Sequence, residues 1–333
     1  MQRCLQLAKN GLGLTYPNPL VGCVIVHKDQ IIGEGWHRKS GEPHAEIMAI
    51  NAVKNKELLP NSTLYVNLEP CSHTGKTPPC AERIVSEKIP RVVIGSRDPA
   101  LHVNGKGIQY LKDNNVIVTE NILSTACEWL NRRFYCFHQK KRPYIIIKFA
   151  QTQNNFFAVK DDQQKWISNK FSKQWVHKMR TEEQAILVGQ RTVEIDSPML
   201  NARLWKGNNP IRIMISSRID SSTKKFSEIK NSIIFNSEEN ITTENAEFIK
   251  LDFQKSIISQ IMNYLYISGI QSLIVEGGAQ TIQHFIDENM WDEARILIGN
   301  IHWPDGIVAP YFPKKQLIHQ EFIAKDLLQI YIP

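Results

Sequence analysis

The sequence predicts two α/β domains joined directly, one after the other. The chain has 333 residues, which is more than a single hydrophobic core usually supports. Short apolar strand patterns alternate with helical patterns along both halves, as in α/β folds. A charged stretch that ends in proline, residues 139–143, separates the two series. We therefore expect residues 1–142 and 143–333 to form separate domains.

The first domain is predicted to begin with a β-hairpin, because apolar runs at residues 20–26 and 31–35 flank a polar turn. The spacing of apolar residues at 45–55 predicts a helix after it. The other predicted elements are strands at 63–69, 91–96 and 116–119 and helices at 80–88, 107–114 and 122–138. Strands separated by helices imply an α/β sandwich with a partly parallel sheet.

The second domain starts with a predicted strand at 144–150 and continues as another alternating series. Its further predicted strands are at 184–189, 210–216, 232–236, 248–251, 272–278 and 293–299, with helices at 174–180 and 279–288. No internal repeat relates the two halves of the sequence. The two domains are therefore predicted to differ in fold.

Composition limits the protein classes that remain. Hydrophobic residues make up 42% and charged residues 22% of the chain, which are ordinary values for a soluble globular protein. No apolar run reaches the ~20 residues of a membrane span. The N-terminus lacks the features of an export signal, so the expected location is the cytoplasm. The net charge of +7 comes from scattered basic residues, which suit an anionic small substrate as well as a nucleic-acid surface.

Metal-binding residue types lie in two motifs. His44 and Glu46 open the predicted helix in "GEPHAEIMA", and Cys71 and Cys80 enclose the loop "CSHTGKTPPC". His-x-Glu followed by Pro-Cys and a second cysteine is the pattern of zinc deaminases that act on nucleobases, although two residues usually separate those cysteines. One imidazole and two thiolates fill three positions of a tetrahedral zinc and leave the fourth for water, while Glu46 can carry the proton. The pattern predicts one catalytic zinc per chain.

A closed structural zinc site is the alternative, with His73 as a fourth ligand. Structural sites more often contain tight Cys-x-x-Cys pairs, which these motifs lack. Glu46 would also have no role in a closed site, so the catalytic interpretation is favoured. A disulfide between Cys71 and Cys80 is disfavoured, because cytosolic thiols are kept reduced. A further alternative is a protein that zinc stabilises but that has no catalytic activity. Such a protein would not deaminate a substrate and would release no ammonia.

Longer motifs resemble one family along essentially the whole chain. "YPNPLVGCVIV", "GEPHAEIMA" and "LEPCSHTGKTPPC" are similar to the deaminase half of the bifunctional riboflavin-biosynthesis deaminase-reductases, whose wide cysteine loop separates them from other deaminases. "YIIIKFAQT", "HKMRTEEQAILVGQRTVEIDSPMLNAR" and "IVEGGAQT" resemble the reductase half, in order. The resemblance implies a cytidine-deaminase-like α/β sandwich followed by a dihydrofolate-reductase-like α/β domain.

The resemblance also implies the chemistry. Zinc would lie on His44, Cys71 and Cys80, with Glu46 as the proton shuttle. The deaminase half would hydrolyse the 2-amine of 2,5-diamino-6-ribosylamino-4(3H)-pyrimidinone 5′-phosphate, and the reductase half would use NADPH to turn the ribosyl group into ribityl. We expect a phosphorylated pyrimidine as the small-molecule substrate and a homodimer or larger homo-oligomer, with neither nucleic acid nor membrane as partner.

Site residues follow from the same resemblance. Asn18 matches the pyrimidine-contacting asparagine, and Lys76 in the wide loop is expected to meet a phosphate or a polar ring edge. The expected NADPH contacts are Trp166, Thr192, Asp196, Ser217, Gly278, Ala279, Gln280, Thr281 and His284. The other expected substrate contacts are Gln164, Arg180, Leu200, Arg203 and Glu276. The two arginines are suited to clamp the ribose phosphate.

Four positions depart from the pattern of that family. Asn154 and Asn155 replace an acidic residue and a glycine, Ser197 replaces an acidic residue, and Gln164 stands where a serine often contacts substrate. A deaminase with a degenerate, non-catalytic reductase half is therefore one alternative. A deaminase directed at tRNA or other nucleic acid is another, disfavoured by the wide cysteine loop and the second domain. The chain also begins nearer its first helix than most members do, so we expect a few N-terminal residues to be absent.

Overall fold

The computed structural model describes residues 1–72, 79–100, 103–160 and 165–333. The chain divides into two compact units, Met1–Lys141 and Arg142–Pro333. The domain boundary predicted from the sequence falls one residue later. Both units combine helices with sheets, so the predicted fold class is confirmed. In the described part of the chain, none of the helices is long and apolar enough to cross a membrane.

Unit 1 contains a five-stranded sheet. Its strands are β1 (Gly22–His27), β2 (Gln30–Trp36), β3 (Thr63–Leu68), β4 (Arg91–Ser96) and β5 (Ile117–Thr119). Its helices are α1 (Gln2–Ala8), α2 (Ala45–Ala52), α3 (Cys80–Ser86), α4 (Lys106–Asp113), α5 (Ser124–Leu130) and α6 (Arg132–Lys140), with 3-10 helices at Lys9–Gly11 and Lys56–Asn61. The strand order is β2-β1-β3-β4-β5, in which β1 is antiparallel to both neighbours and β3, β4 and β5 are parallel.

Helix α2 lies directly on β2, because glycines occupy the strand where the helix backbone passes. A Cβ at Gly33 would lie 2.4 Å from the carbonyl oxygen of Ala49, and one at Gly35 would lie 2.5 Å from the amide nitrogen of Ala49. Glycine within a strand permits such an approach of another backbone, and a larger side chain would displace the helix. The close packing holds the N-terminus of α2, with His44 and Glu46, against the sheet.

The prediction of a single helix at 122–138 is wrong. The structure has two helices there, α5 and α6, which meet at Asn131. Asn131 has φ −96° and ψ 18°, and its buried side chain bonds the backbone of Leu20. The apolar pattern continues through the junction, so it carries no signal of the break. The partner of Asn131 lies 111 residues away in the sequence.

Unit 2 is built on a ten-stranded sheet. The described strands of the whole unit are β6 (Tyr144–Thr152), β7 (Phe156–Ala158), β8 (Ala185–Gly189), β9 (Ile211–Ile215), β10 (Ser232–Asn236), β11 (Ile241–Thr242), β12 (Ala246–Lys250), β13 (Ser272–Gly277), β14 (Glu293–Gly299), β15 (Ile307–Val308), β16 (Gln316–Ile323) and β17 (Asp326–Ile332). Its helices are α7 (Lys170–Glu182), α8 (Gln190–Asp196), α9 (Ser221–Ser227), α10 (Ile257–Ile267) and α11 (Ala279–Asp287). The order in the large sheet is β11-β12-β10-β9-β8-β13-β6-β14-β17-β16, and β15 pairs with β7 separately.

The seven strands from β12 to β14 in this order are parallel, and the strands at both edges are antiparallel. Parallel strands bring their carboxyl ends to one edge of the sheet, where ligands of open α/β folds usually bind. Several elements were not predicted from the sequence: α8, α9, α10, β7, β11, β15 and the hairpin of β16 and β17. In β16 seven of the eight residues are exposed, so no alternation of apolar and polar residues marks the strand.

Candidate active sites

One group of possible metal ligands occurs in the described part of the chain, and it consists of His44, Cys71 and Cys80. His44 is the N-cap of α2, Cys71 follows β3, and Cys80 is the first residue of α3. The Nδ1 atom of His44 lies 3.6 Å from Sγ of Cys71 and 3.3 Å from Sγ of Cys80. All three donor atoms lie within 4.8 Å of one another. The structure thus brings together the three ligands predicted from the sequence.

The spacing of these atoms fits zinc. Zinc–sulfur and zinc–nitrogen bonds of about 2.3 and 2.0 Å in a tetrahedral site place sulfur and nitrogen ligands about 3.5 Å apart. The two measured sulfur–nitrogen distances, 3.6 and 3.3 Å, bracket that value. The donor set of one imidazole and two thiols is also the one that zinc prefers.

Local structure holds the two cysteines together. The N–H of Cys80 donates to Sγ of Cys71 at 3.3 Å, and the N–H of Ala81 donates to the carbonyl oxygen of Cys71 at 3.1 Å. Pro79 precedes the helix as its N-cap. These N–H groups belong to the first turn of α3 and have no intrahelical acceptor. A sulfur at this position lies beside the partial positive charge of the helix N-terminus, which favours thiolate over thiol.

The ligand charges interact strongly. A hydrogen bond from the Cys80 thiol, supported by His44, lowers the pKa of Cys71 to about 4. The same hydrogen bond to Cys71, together with burial, raises the pKa of the Cys80 thiol. The thiolate of Cys71 in turn raises the pKa of His44 to about 9. Without a metal, the preferred state near neutral pH is therefore an imidazolium beside one thiolate and one thiol.

Glu46 is the second residue of α2, in its first turn, and is 3% exposed. Burial raises the pKa of its carboxyl to about 7; the His44 cation opposes this rise and the Cys71 sulfur adds to it. A carboxyl with a pKa near the working pH can both accept and return a proton. This side chain is therefore suited to proton transfer beside the three ligands.

A buried histidine that the sequence analysis missed connects Asn18 to the ligands. His37 is 2% exposed, and its Nε2 atom lies 3.0 Å from Nδ2 of Asn18. Its Nδ1 atom lies 3.2 Å from the carbonyl oxygen of Pro43, and its ring meets the ring of His44 edge-on at 5.3 Å. Burial lowers the pKa of His37, which favours the neutral ring. No motif marks His37, which follows the last residue of β2.

Glu69 is a second residue that the motif analysis did not use, although it belongs to "EPC". Its buried carboxylate accepts from the N–H groups of Gly105 and Gly107, each at 3.0 Å. A Cβ at Gly107 would lie 1.9 Å from the carbonyl oxygen of Pro70. The carboxylate and the glycine together hold the segment before Cys71 against the start of α4.

The predicted substrate residues of unit 2 meet around one ion pair. Arg180 on α7 donates to Glu276 at the end of β13 through two bonds, of 3.1 and 2.6 Å. A third bond, of 3.1 Å, joins Arg180 to the carbonyl oxygen of Asn201. The exposed Arg203 donates to the side chain of Asn201 at 2.9 Å. The nearby Leu200 is buried and has a positive φ of 50°.

Lys148 on β6 joins this cluster and was not predicted. Burial lowers its pKa, while Glu276 opposes that change. Burial alone would raise the pKa of Glu276, but Arg180 and Lys148 outweigh it and hold the value at about 2. Two cations therefore face one carboxylate, and the remaining positive charge suits an anionic ligand. Lys148 lies in "YIIIKFAQT", one of the motifs that resemble the reductase half, but no role was predicted for it.

Most of the predicted NADPH contacts lie around the turn between β13 and α11. Gly278 is the N-cap of α11, which has no side-chain cap. Thr192 on α8 lies beside this turn, since a Cβ at Gly278 would be 3.3 Å from its Oγ1. Ala279, Gln280, Thr281 and His284 all lie on α11. A Cβ at Gly189, at the end of β8, would lie 2.5 Å from Oγ1 of Thr281.

Among the described residues, no contact joins the remaining predicted cofactor residues to the turn at Gly278. Asp196 ends α8, where burial raises its pKa. Ser217 is exposed after β9. Trp166 is 60% exposed, and the Nζ atom of Lys173 lies 3.3 Å from its ring centroid. The predicted residues Lys76 and Gln164, and His73 of the alternative zinc site, lie outside the described residues.

The turn with the two unusual asparagines is regular. Asn155 has φ +64°, a left-handed conformation that asparagine tolerates better than most residues. Its N–H donates to the carbonyl oxygen of Thr152 at 3.1 Å. The Asn154 side chain accepts from the hydroxyl of Thr152 at 2.8 Å and donates to the carbonyl oxygen of Trp303 at 2.7 Å. Asparagine thus maintains the turn in place of aspartate and glycine.

Comparison with known proteins agrees with this division of the chain. The family model described as cytidine and deoxycytidylate deaminase zinc-binding region matches residues 1–96. The model of the RibD C-terminal domain matches residues 143–302. The fold and the metal cluster therefore define a zinc-dependent deaminase of the cytidine deaminase class joined to a reductase domain.

Full-length relatives make the assignment specific. Riboflavin biosynthesis protein RibD of Aquifex aeolicus is 35% identical over 90% of this chain and 85% of its own length. RibD of Haemophilus influenzae is 34% identical over 100% and 96%, whereas the alignment with RibD of Synechocystis, 42% identical, covers 66% of this chain and 59% of that protein. The chain belongs to the RibD family of riboflavin biosynthesis, and it is an enzyme with a deaminase and a reductase domain.

Solved structures agree over the whole chain. The crystal structure of a diaminohydroxyphosphoribosylaminopyrimidine deaminase/5-amino-6-(5-phosphoribosylamino)uracil reductase from Thermotoga maritima has a TM-score of 0.89 and 34% identity, covering 100% of this chain and 97% of that one. RibD of Acinetobacter baumannii has a TM-score of 0.87 and 26% identity, with the same coverage.

Proposed function

We propose that unit 1 deaminates 2,5-diamino-6-ribosylamino-4(3H)-pyrimidinone 5′-phosphate and that unit 2 then reduces the ribosyl group of the product with NADPH. The convergence of one imidazole and two sulfurs beside a buried carboxyl supports the first reaction. The charged cluster of Arg180, Glu276 and Lys148 supports the second. The family to which the chain belongs supports the pairing of the two reactions.

In the deaminase reaction, His44, Cys71 and Cys80 would hold the zinc. When bound by three protein ligands, zinc acidifies water towards neutral pH. Glu46 takes a proton from the attacking water and delivers it to the amine that leaves as ammonia. One C–O bond forms and one C–N bond breaks at the pyrimidine carbon. The pKa of Glu46, raised to about 7, matches this exchange.

Asn18 would orient the pyrimidine ring. When its Nδ2 donates to Nε2 of His37, the Nδ1–H of that ring donates to the carbonyl oxygen of Pro43. This arrangement leaves the Oδ1 atom of Asn18 as an acceptor for a ring N–H of the substrate. The neutral state of His37, favoured by its burial, is the state that the arrangement needs.

In the reductase reaction, NADPH supplies a hydride to the sugar. The turn around Gly278 fits a phosphate-bearing cofactor, because the first N–H groups of α11 lack a side-chain cap and Thr192 and Thr281 lie close by. Arg180 and Arg203 would bind the substrate phosphate. Lys148 and Glu276 would face the sugar and hold its polar atoms in place.

The second candidate is a deaminase whose reductase half has lost its activity. Asn154 and Asn155 motivate this candidate, but the turn that contains them keeps its hydrogen bonds and its left-handed residue. The intact turn favours an active reductase. Failure to oxidise NADPH with the deaminated intermediate would favour the second candidate instead.

A coupled assay with the diamino substrate tests both reactions at once. Ammonia release without NADPH, followed by NADPH oxidation when NADPH is added, is the expected result. Arg203→Ala should raise the KM of the reductase for its phosphorylated substrate about tenfold or more, because a charge-assisted contact is lost. Lys250→Ala, which removes an exposed cation of β12, is the matched control. Equal losses with a dephosphorylated substrate would contradict the phosphate clamp.

We also propose that the enzyme is cytoplasmic and assembles as a homodimer or larger homo-oligomer, without a nucleic-acid partner. The edge strand β16 supports self-assembly, since it ends the large sheet and its Phe322 is 74% exposed. Sedimentation of the purified protein measures the oligomeric state. Tight, salt-dependent RNA binding would contradict the last part of the proposal.

A further inference from the structure

Two buried asparagines of unit 1 hold the segment that leads from Asn18 into β1. Asn67 is fully buried and Asn131 is 2% exposed. The side chain of Asn131 accepts from the N–H of Leu20 at 2.7 Å and donates to the carbonyl oxygen of Leu20 at 2.9 Å. The side chain of Asn67 accepts from the N–H of Gly22 at 2.7 Å and donates to the carbonyl oxygen of Leu20 at 2.9 Å.

The two amides act as a neighbouring strand would, by supplying both a donor and an acceptor to extended backbone. Aspartate could accept from these N–H groups, but it could not donate to the carbonyl oxygen of Leu20 when ionised. An apolar residue at either position would leave one buried N–H unpaired, at a cost of about 1–3 kcal/mol, and would remove one of the two donors to the carbonyl oxygen of Leu20. Asparagine is therefore the residue type that both positions require.

The same segment is fixed from two further directions. The N–H of His37 donates to the carbonyl oxygen of Val21 at 2.9 Å. Helix α1 lies so close that a Cβ at Gly22 would be 2.1 Å from the carbonyl oxygen of Cys4. Residues 20–22 therefore have little freedom to move while the two amides remain in place.

Asn18 and His37 both depend on this segment for their positions. Asn18 precedes Leu20 by two residues, and Pro19 between them restricts the backbone. The N–H of Asn18 donates to the carbonyl oxygen of Thr15 at 2.8 Å, and its side chain meets His37. A displacement of residue 20 would therefore pass directly to the amide of Asn18.

We propose that Asn131 and Asn67 are positioning residues for deamination, which set the side chain of Asn18 relative to the metal ligands by clamping Leu20. The proposal rests on the role of Asn18 as a substrate contact. A contact of this kind must be held within about 0.5 Å to be effective. Neither asparagine touches the substrate, so their effect on the reaction passes through Asn18.

A double-mutant cycle on the full-length enzyme tests the proposal. KM and kcat for ammonia release are measured for the native enzyme, Asn18→Ala, Asn131→Ala and the double variant. Asn131→Ala should raise KM about tenfold while zinc content is unchanged, and it should add nothing further in the Asn18→Ala background. Asn114→Ala is the matched control, because this exposed asparagine caps only its own helix end. NADPH oxidation by unit 2 reports that each variant is otherwise intact.

Multiplied effects in the double variant would overturn the proposal, because Asn131 would then act independently of Asn18. Should Asn18→Ala leave KM unchanged, the role proposed for Asn18 fails and this inference fails with it, a result distinct from multiplied effects. Asn131→Asp keeps the acceptor for the N–H of Leu20 and replaces Asn131→Ala if that variant does not fold. Its KM should rise as well, again only when Asn18 is present.

Discussion

The two candidate active sites differ in how much of the chain each of them requires. The metal site takes its ligands and its carboxyl from two short stretches, 44–46 and 71–80, and two of the three ligands lie at the start of a helix. The site of unit 2 draws on β6, α7, β13 and the loop around residue 201. The residues of the first site can be recognised from local sequence motifs. Those of the second site come together only when the sheet has assembled.

The sharpest test of this difference is Glu46→Gln, which should abolish most deamination and leave the second site untouched. Loss of a general acid–base typically costs about 10²–10⁴-fold in rate. Ammonia release measures the loss, with zinc content and NADPH oxidation as controls that should not change. Substantial remaining deamination would remove Glu46 from the role of proton carrier.

A substitution in the ion pair of Arg180 and Glu276 should instead change the stability of unit 2. Arg180→Met leaves the carboxylate of Glu276, whose pKa is held at about 2, with Lys148 as its remaining cation. Breaking a buried ion pair costs about 3–5 kcal/mol, and Lys148 should limit the loss to the lower part of this range. Chemical denaturation of unit 2 measures it. Because Glu276 is then the counter-ion of Lys148, Glu276→Gln in the same background should lower the stability further; a recovery of stability would show that Lys148 does not compensate the carboxylate.

Zinc uptake should release about two protons at neutral pH, one from the imidazolium of His44 and one from the thiol of Cys80. The pKa of His44 is raised to about 9, so its proton competes with zinc below that pH and the affinity for zinc should fall as the pH falls. Calorimetry of the metal-free enzyme in buffers of different ionisation enthalpy counts the protons. Affinity that does not depend on pH would contradict the charge state described for the ligands.

The smallest effect is expected at the asparagine turn of unit 2. Asn155→Gly should change the stability by less than about 1 kcal/mol, because glycine also adopts positive φ. Asn155→Ala should lower it by about 1 kcal/mol, because the left-handed conformation crowds a Cβ. Thermal unfolding of the two variants provides the comparison. Equal stabilities would mean that the conformation of residue 155 carries no strain.

Much of unit 1 could be predicted from the sequence because its signals are local. The glycine-containing hairpin, the start of α2 and the metal motifs each lie within a few residues of one another. His37 and Asn131 could not be found in this way, because their partners are remote in sequence or belong to the backbone.

In unit 2 the sequence pattern identified strands such as β6 and β8 but missed Lys148, whose partners come from other elements. The roles of all the predicted site residues of unit 2 stay predictions, and for Trp166, Asp196 and Ser217 no contact among the described residues joins them to one ligand site. The prediction for Lys76 concerns a residue outside the described part of the chain.

The bond between Leu20 and Asn131 also has a consequence for the order of assembly during synthesis. These residues are 111 positions apart, and closing so long a loop is entropically costly and slow compared with forming local structure. The metal ligands are complete once residue 80 has emerged from the ribosome. The segment that carries Asn18 must wait about fifty residues longer for its second amide partner, Asn131, so a nascent chain would acquire its ability to bind metal before its ability to select a substrate.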